Sequence, residues 1–217
     1  MPAPNPLPAR RPLERIVWGS LVITLLAITI AFAWSRLRPT GPKIVLPLNY
    51  AVPAFTLTNQ FGQPVTLDNL RGHVWVADII FTQCAGPCPV MTATMAKLQA
   101  RLPRSSRAKL VTLTTDPDND NPAVLKRFAE RFKADFNRWS FLTGRKDQIA
   151  RLAVDGLKLT AIPKNPSERE SDVDLFIHSE LFVVVDRQGN VRAAFESYQP
   201  DAIENVLQAM AQLERER

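Results

Sequence analysis

The chain has only two cysteines, Cys84 and Cys88. They stand where an apolar run, Val74–Phe81, gives way to a stretch with Met91, Met95 and Leu98 at helical spacing. Three physical facts make such a junction reactive. Unpaired backbone N–H groups at a helix N-terminus favour a nearby anion. A thiolate there has a lowered pKa, and the thiolate is both the nucleophile and the metal ligand. Residues four apart lie on one face of a helical turn, so both sulfurs can converge on one point. The pair is therefore a candidate redox site or metal site. A structural bridge is the weaker account, because a disulfide across so short a loop adds little stability.

Spacing and the histidines sharpen the choice. Redox motifs of the thioredoxin type carry two residues between their cysteines. The wider loop here, Ala85-Gly86-Pro87, suits a bound metal. Of the two histidines, His73 follows Gly72 and reads as an exposed turn residue. His178 lies just before the apolar run Leu181–Asp186. In a thioredoxin-like sheet the loop entering that strand comes beside the start of the cysteine helix. Cys84, Cys88 and His178 would then make a three-ligand site. Thiolates suit Cu(I), and imidazole keeps Cu(II) accessible. Zinc accepts the same set with an open fourth position, so the donor types leave both metals open. Met91 and Met95 are also soft donors, but their spacing assigns them to a core.

The elements that must position these residues alternate between strand and helix. Phe55–Thr58 and Val65–Leu67 flank Asn59-Gln60-Phe61-Gly62, which predicts a hairpin. Val74–Phe81 predicts a strand buried on both faces. A helix from Pro89 to about Arg101 follows, then a strand at Leu110–Thr114. Asn121 caps a helix with Pro122 at its first position. A short strand at Trp139–Leu142 precedes a helix carrying Ile149, Leu152, Ala153 and Leu157. After a polar segment, Lys158–Asp174, a second hairpin joins Phe182–Asp186 to Val191–Glu196, and Pro200 opens a closing helix. This order predicts an α/β fold with a central mixed β-sheet flanked by helices.

The chain has 217 residues, 46% apolar and 22% charged, which fits one globular domain with a full core. Its net charge is +6, but five arginines against one glutamate in residues 1–38 leave only +2 for the remainder. The basic excess flanks an apolar segment and forms no stripe on the domain, so nucleic acid is not expected as a partner. Ile16–Trp34 is free of charge. As a helix it is about 28 Å long at about 1.5 Å per residue, against a hydrocarbon core of about 30 Å. Trp18 and Trp34 lie near its ends, where indoles suit the interface. An uncleaved anchor explains this run better than a signal peptide ending at Ala31-Phe32-Ala33 does, because the run is long. The resulting organisation is a proline-rich tail (1–15), a transmembrane helix (16–34), a linker (35–50) and an α/β domain (51–217). The expected location is the cell inner membrane, single-pass, with the domain facing the periplasm or an equivalent compartment.

The quoted residues match a known family. Phe81-Thr82-Gln83-Cys84-Ala85-Gly86-Pro87-Cys88-Pro89 resembles the strand-to-helix cysteine motif of the Sco (SenC-like) proteins. Thr115–Pro122 is similar to that family's Asp-Pro segment, Leu142-Thr143-Gly144 also fits, and His178-Ser179 resembles its distal histidine. The likeness covers roughly residues 51–215. Ala85 and Pro87 depart from the family, which usually has proline after the first cysteine and a branched apolar residue before the second. The resemblance implies a thioredoxin-like fold, with copper, Cu(I) or Cu(II), held by Cys84, Cys88 and His178. It implies a role for Asp116 beside the site or in docking. It also implies a metallochaperone, not an enzyme, delivering copper to the binuclear centre of cytochrome c oxidase subunit II or a similar client. The alternative is a membrane-anchored thiol–disulfide oxidoreductase using Cys84 and Cys88 as a redox-active pair.

Overall fold

The computed structural model describes residues 12–37, 44–159, 161–163 and 176–216, with side chains for 16–32, 44–159 and 179–216. The chain divides into two compact units, Met1–Pro42 and Lys43–Arg217.

The first unit holds α1 (Pro12–Leu37), a helix of 26 residues. Its described side chains are exposed and largely apolar, among them Ile16, Trp18, Ile23, Leu25 and Phe32. The hydroxyls of Ser20, Thr24 and Thr29 donate to carbonyls of the preceding turn, so these polar groups are satisfied within the helix. No helix among the described residues is long and apolar enough to cross a membrane. The run Ile16–Trp34, on which the expected spanning segment rests, continues past the described side chains, and residues 1–11 of the tail lie outside the described residues.

The second unit is built on one mixed sheet. Its strands are β1 (Tyr50–Ala51), β2 (Thr56–Asn59), β3 (Pro64–Thr66), β4 (Trp75–Ile80), β5 (Lys109–Thr114), β6 (Trp139–Thr143), β9 (Leu181–Val185) and β10 (Asn190–Glu196). A separate pair joins β7 (Ala161–Pro163), inside the segment read from sequence as a polar connection, to β8 (Phe176–His178), just after it. In space the large sheet runs β1-β10-β9-β4-β5-β6-β2-β3, with β4, β5 and β6 parallel. On the other side of β4, β9 is antiparallel, pairing Trp75 with Val185 and Ala77 with Val183. The helices are α2 (Leu67–Leu70), α3 (Pro87–Arg101), α4 (Pro122–Arg131), α5 (Lys146–Ala150) and α6 (Ala202–Arg215), with a π-helical turn at Arg151–Gly156 continuing α5.

Every residue of β4 is buried, as a strand covered on both faces requires. Its side chains alternate between two cores. Val76 and Ile80 join α3, α4 and α6 through Cys88, Met95, Leu98, Leu125, Phe128, Val206 and Met210. Trp75, Ala77 and Ile79 face the opposite core with Leu67, Leu70, Ile149 and Leu152. Burying each such large apolar side chain contributes on the order of 1.5–3 kcal/mol.

Asn121 caps α4 as expected, its Oδ1 accepting from the Val124 N–H at 3.1 Å, and Pro122 takes the first helical position. Two helix starts differ from the sequence reading. α3 begins at Pro87, not Pro89, with Gly86 as its N-cap. Both prolines sit among the first-turn positions whose N–H groups have no intrahelical partner, so neither loses a bond. α6 begins at Ala202 because Pro200 falls in a turn closed by the Ala202 N–H to Gln199 carbonyl bond at 3.0 Å. The short α2 was not foreseen, although Thr66 and Asn69 form a reciprocal capping box there.

Candidate functional site

The cysteine loop is made by the end of β4 and the start of α3. After Ile80 the chain turns sharply, and the Cys84 N–H donates to the Phe81 carbonyl at 3.3 Å. The Gly86 N–H then donates to Cys84 Sγ at 3.4 Å. Cys88 lies inside the first turn of α3 and Cys84 precedes it. The sulfurs therefore do not converge through a shared helical face, as the spacing alone predicts. They meet because the loop folds back, and a hydrogen bond joins the two side chains. Both are present as thiols, Cys84 half-buried and Cys88 buried.

The expected lowering of the thiol pKa fails at Cys88. Its hydrogen bond to Cys84 pushes the pKa up, burial adds to this, and the nearby charges of Cys84 and Asp78 act in the same direction. A backbone hydrogen bond at Phe81 opposes them without prevailing. The helix N-terminus is outweighed by the bond to Cys84 first and by the burial of Cys88 second.

Asp78 is a charged residue placed inside β4 with no exposure. The Thr112 hydroxyl donates to its Oδ1 at 2.6 Å, and Trp139 Nε1 donates to that hydroxyl oxygen at 2.9 Å. This chain of bonds crosses β4, β5 and β6 beneath the cysteine loop.

Asp116 is 7% exposed and folded into its own turn. Its carboxylate accepts from Asn119 Nδ2 at 2.7 Å, and its carbonyl accepts from the N–H groups of Asn119 and Asp120. These contacts are those of a turn residue. Asp120, not singled out by the sequence, is the acid that reaches the cysteine loop. Its Oδ2 accepts from the Thr82 N–H at 3.0 Å and its Oδ1 from the Thr82 hydroxyl at 2.5 Å. The Thr114 hydroxyl donates to Oδ2 at 2.5 Å. Burial raises the Asp120 pKa, and the hydrogen bonds from Thr114 and Thr82 resist that rise. Only its position after Asp116 hints at it in the sequence, where it reads as one more acid in a turn.

His178 closes β8, its backbone paired with Ala161, just before β9 begins. Its side chain lies outside the described residues. Among the described residues no group of three or more His, Cys, Asp and Glu side chains could hold a metal ion. His73 behaves as the turn residue expected, with Nδ1 at 2.7 Å from the Arg107 carbonyl, at the opposite end of β4 from the cysteines. Met91 and Met95 are buried, at 2% and 0% exposure, and belong to the interior as their spacing suggests.

A family model for SCO1/SenC matches residues 47–213, which spans both cysteines, the Asp116–Asp120 turn and β8. The chain belongs to the SCO1/SenC family. The SCO1 protein homolog of Bacillus subtilis (strain 168) is 42% identical over 153 residues, 70% of this chain and 76% of its own length. A candidate copper-binding protein of Stutzerimonas stutzeri is 30% identical over 202 residues, 90% of this chain and 96% of its own. The solved structure of BsSco superposes with a TM-score of 0.69 at 32% identity, over 81% of this chain and 100% of its own. BsSco is described as a member of the Sco family of cytochrome c oxidase assembly proteins in which a disulfide switch was identified. The mixed sheet with helices on both faces is thus the thioredoxin-like fold of the SCO1/SenC family.

Proposed function

We propose that this SCO1/SenC chain is a copper metallochaperone that delivers copper to the binuclear site of cytochrome c oxidase subunit II. The observation that carries this reading is the pairing of Cys84 and Cys88 side chains at a strand-to-helix loop, in a chain whose family model spans the whole site. Cys84, Cys88 and His178 are the proposed ligands. The donor chemistry fits: two sulfurs already in contact and one imidazole form a soft set that accepts Cu(I) and leaves Cu(II) accessible. A relative named for copper binding, with 96% of its length covered, agrees with copper over zinc.

The unequal burial of the sulfurs gives each a role. Half-buried Cys84 is the sulfur a client thiolate reaches first. Cys88 keeps its proton until metal displaces it, so loading releases that proton and favours higher pH. Asp116 stands in the turn next to the Asp120 contact, and its proposed part is in docking. The anchor proposal rests on Ile16–Trp34, with α1 as the helix that carries the run. It places the domain outside the cytoplasm at the inner membrane.

The second reading is a thiol–disulfide oxidoreductase, favoured by two adjacent thiols and by the disulfide switch of BsSco. In that reaction the chain's two thiols give two electrons and two protons to a client disulfide, and a Cys84–Cys88 disulfide forms. One experiment separates the two. The full chain in detergent micelles is mixed anaerobically with the metal-free soluble domain of subunit II, copper-loaded with the reduced client in one arm and copper-free with the client disulfide in the other. The chaperone reading expects copper to move to the reduced client. Reduction of the disulfide client by the copper-free chain, with no metal transfer in the other arm, would leave the oxidoreductase.

A further inference from the structure

We propose that Asp120 is the positioning residue of the cysteine loop, a buried clasp that fixes where Cys84 stands relative to Cys88. The inference rests on the proposed use of that pair, for copper or for dithiol exchange.

Four observations carry it. Asp120 has no exposure, yet it lies in a turn after β5 and outside any strand or helix. Its carboxylate takes three hydrogen bonds from two different segments, two from Thr82 and one from Thr114. Thr82 is the residue where β4 has ended and the cysteine loop begins, two residues before Cys84. The strands beneath are in register, with Ile80 opposite Thr114 and the Thr115 N–H bonded to the Ile80 carbonyl at 2.8 Å. The clasp therefore continues the β4–β5 pairing by side chains after the backbone ladder has stopped.

This position needs a clasp. The cysteine loop leaves the sheet at Phe81 and is held locally by the Phe81 turn, by the Gly86 N–H on Cys84 Sγ and by the hydrogen bond between the two cysteine side chains. A bond to sulfur is weak beside a charge-assisted bond to a buried carboxylate. Without the clasp, Thr82 is free to rotate and Cys84 swings with it, while Cys88 stays fixed inside α3. The distance between the two sulfurs then spreads over a range. A loop held in one geometry loses less freedom when two sulfurs must meet at one metal ion or in one bond.

The test uses the full chain in detergent micelles with three variants, Thr82→Val, Thr82→Ser and Thr114→Val. Thr82→Val keeps shape and the backbone bond but loses the hydroxyl. Thr82→Ser restores a hydroxyl. Thr114→Val removes the bond on the strand side and leaves both bonds from Thr82. Each is measured for Cu(I) affinity against a competing chelator, for the dithiol–disulfide equilibrium with glutathione, and for thermal stability. In the glutathione reaction one glutathione disulfide is reduced to two glutathiones as the chain's two thiols become a disulfide. Thr82→Val is expected to weaken Cu(I) binding about tenfold and to lower the disulfide-forming constant about tenfold, the effect of one charge-assisted bond. Thr82→Ser is expected to recover most of both. Thr114→Val is expected to lower the melting temperature and to weaken both constants by less than Thr82→Val does, because both bonds from Thr82 to the carboxylate remain. Unchanged constants in Thr82→Val overturn the clasp, and so do equal losses in Thr82→Val and Thr114→Val. If the wild-type chain holds no Cu(I), the copper reading falls, while the glutathione arm still decides on Asp120.

Discussion

The raised pKa of Cys88 makes the stability of the reduced, metal-free chain fall as pH rises past 9. In the unfolded chain a cysteine takes its ordinary value of 9.0, whereas in the folded protein the bond to Cys84 and burial hold the thiol neutral well above that. The folded state therefore keeps a proton that the unfolded state gives up. Stability linked to Cys88 is fully present below pH 9 and is lost as pH rises past it. The integrated loss is about 1.4 kcal/mol at pH 10 and less than about 0.1 kcal/mol at pH 8, because one pH unit corresponds to about 1.36 kcal/mol. The assay is urea unfolding of the reduced, metal-free chain at both pH values, for wild type and Cys88→Ala. Tyr50, whose pKa burial also raises, is present in both proteins and cancels in the difference. The stability difference between wild type and variant should shrink by about 1.4 kcal/mol between pH 8 and pH 10. A difference that stays constant, or that grows with pH, would refute the assignment of a high folded pKa to Cys88.

Other perturbations follow from single contacts. Thr112→Val takes the 2.6 Å donor from Asp78 and the 2.9 Å acceptor from Trp139, both buried. A loss of about 2–4 kcal/mol is expected from two buried groups at about 1–2 kcal/mol each, read by urea unfolding. Asn121→Ala removes the cap of α4 and should cost about 1 kcal/mol while leaving Cu(I) affinity unchanged. A brief iodoacetamide pulse at pH 7, followed by peptide mapping, should label Cys84 and spare Cys88, whose thiol is buried and held above its ordinary pKa. Labelling of both at equal rates would show that the loop opens freely.

Much of this architecture is legible in the residues. The apolar run of β4, broken only by Asp78, announces a strand covered on both faces, and Asn121-Pro122 announces a helix start, because each depends on local chemistry. Both hairpins are legible for the same reason, their turns carrying Gly62 and Gly189 at positive φ. The paired cysteines are visible as a site. What escapes the sequence is non-local. Nothing in the spacing of Cys84 and Cys88 says that the loop folds back so that only Cys88 is helical, or that the bond to Cys84, together with burial, outweighs the helix N-terminus at that thiol. Asp120 looks like any acid in the Asp116–Asp120 turn until β4 and β5 bring Thr82 and Thr114 to its carboxylate. The tiny β1 is invisible because a two-residue strand has no period to read, and it exists through its pairing with β10.

The central claim is that Cys84, Cys88 and His178 together hold copper. X-ray absorption at the copper edge, on the full chain loaded with one equivalent of Cu(I), tests it most directly when wild type is compared with His178→Ala. The account predicts two sulfur neighbours and one imidazole nitrogen in wild type, with the imidazole signal lost and the two sulfurs kept in His178→Ala. An unchanged spectrum in the variant, or a wild-type site with fewer than two sulfurs, would contradict it.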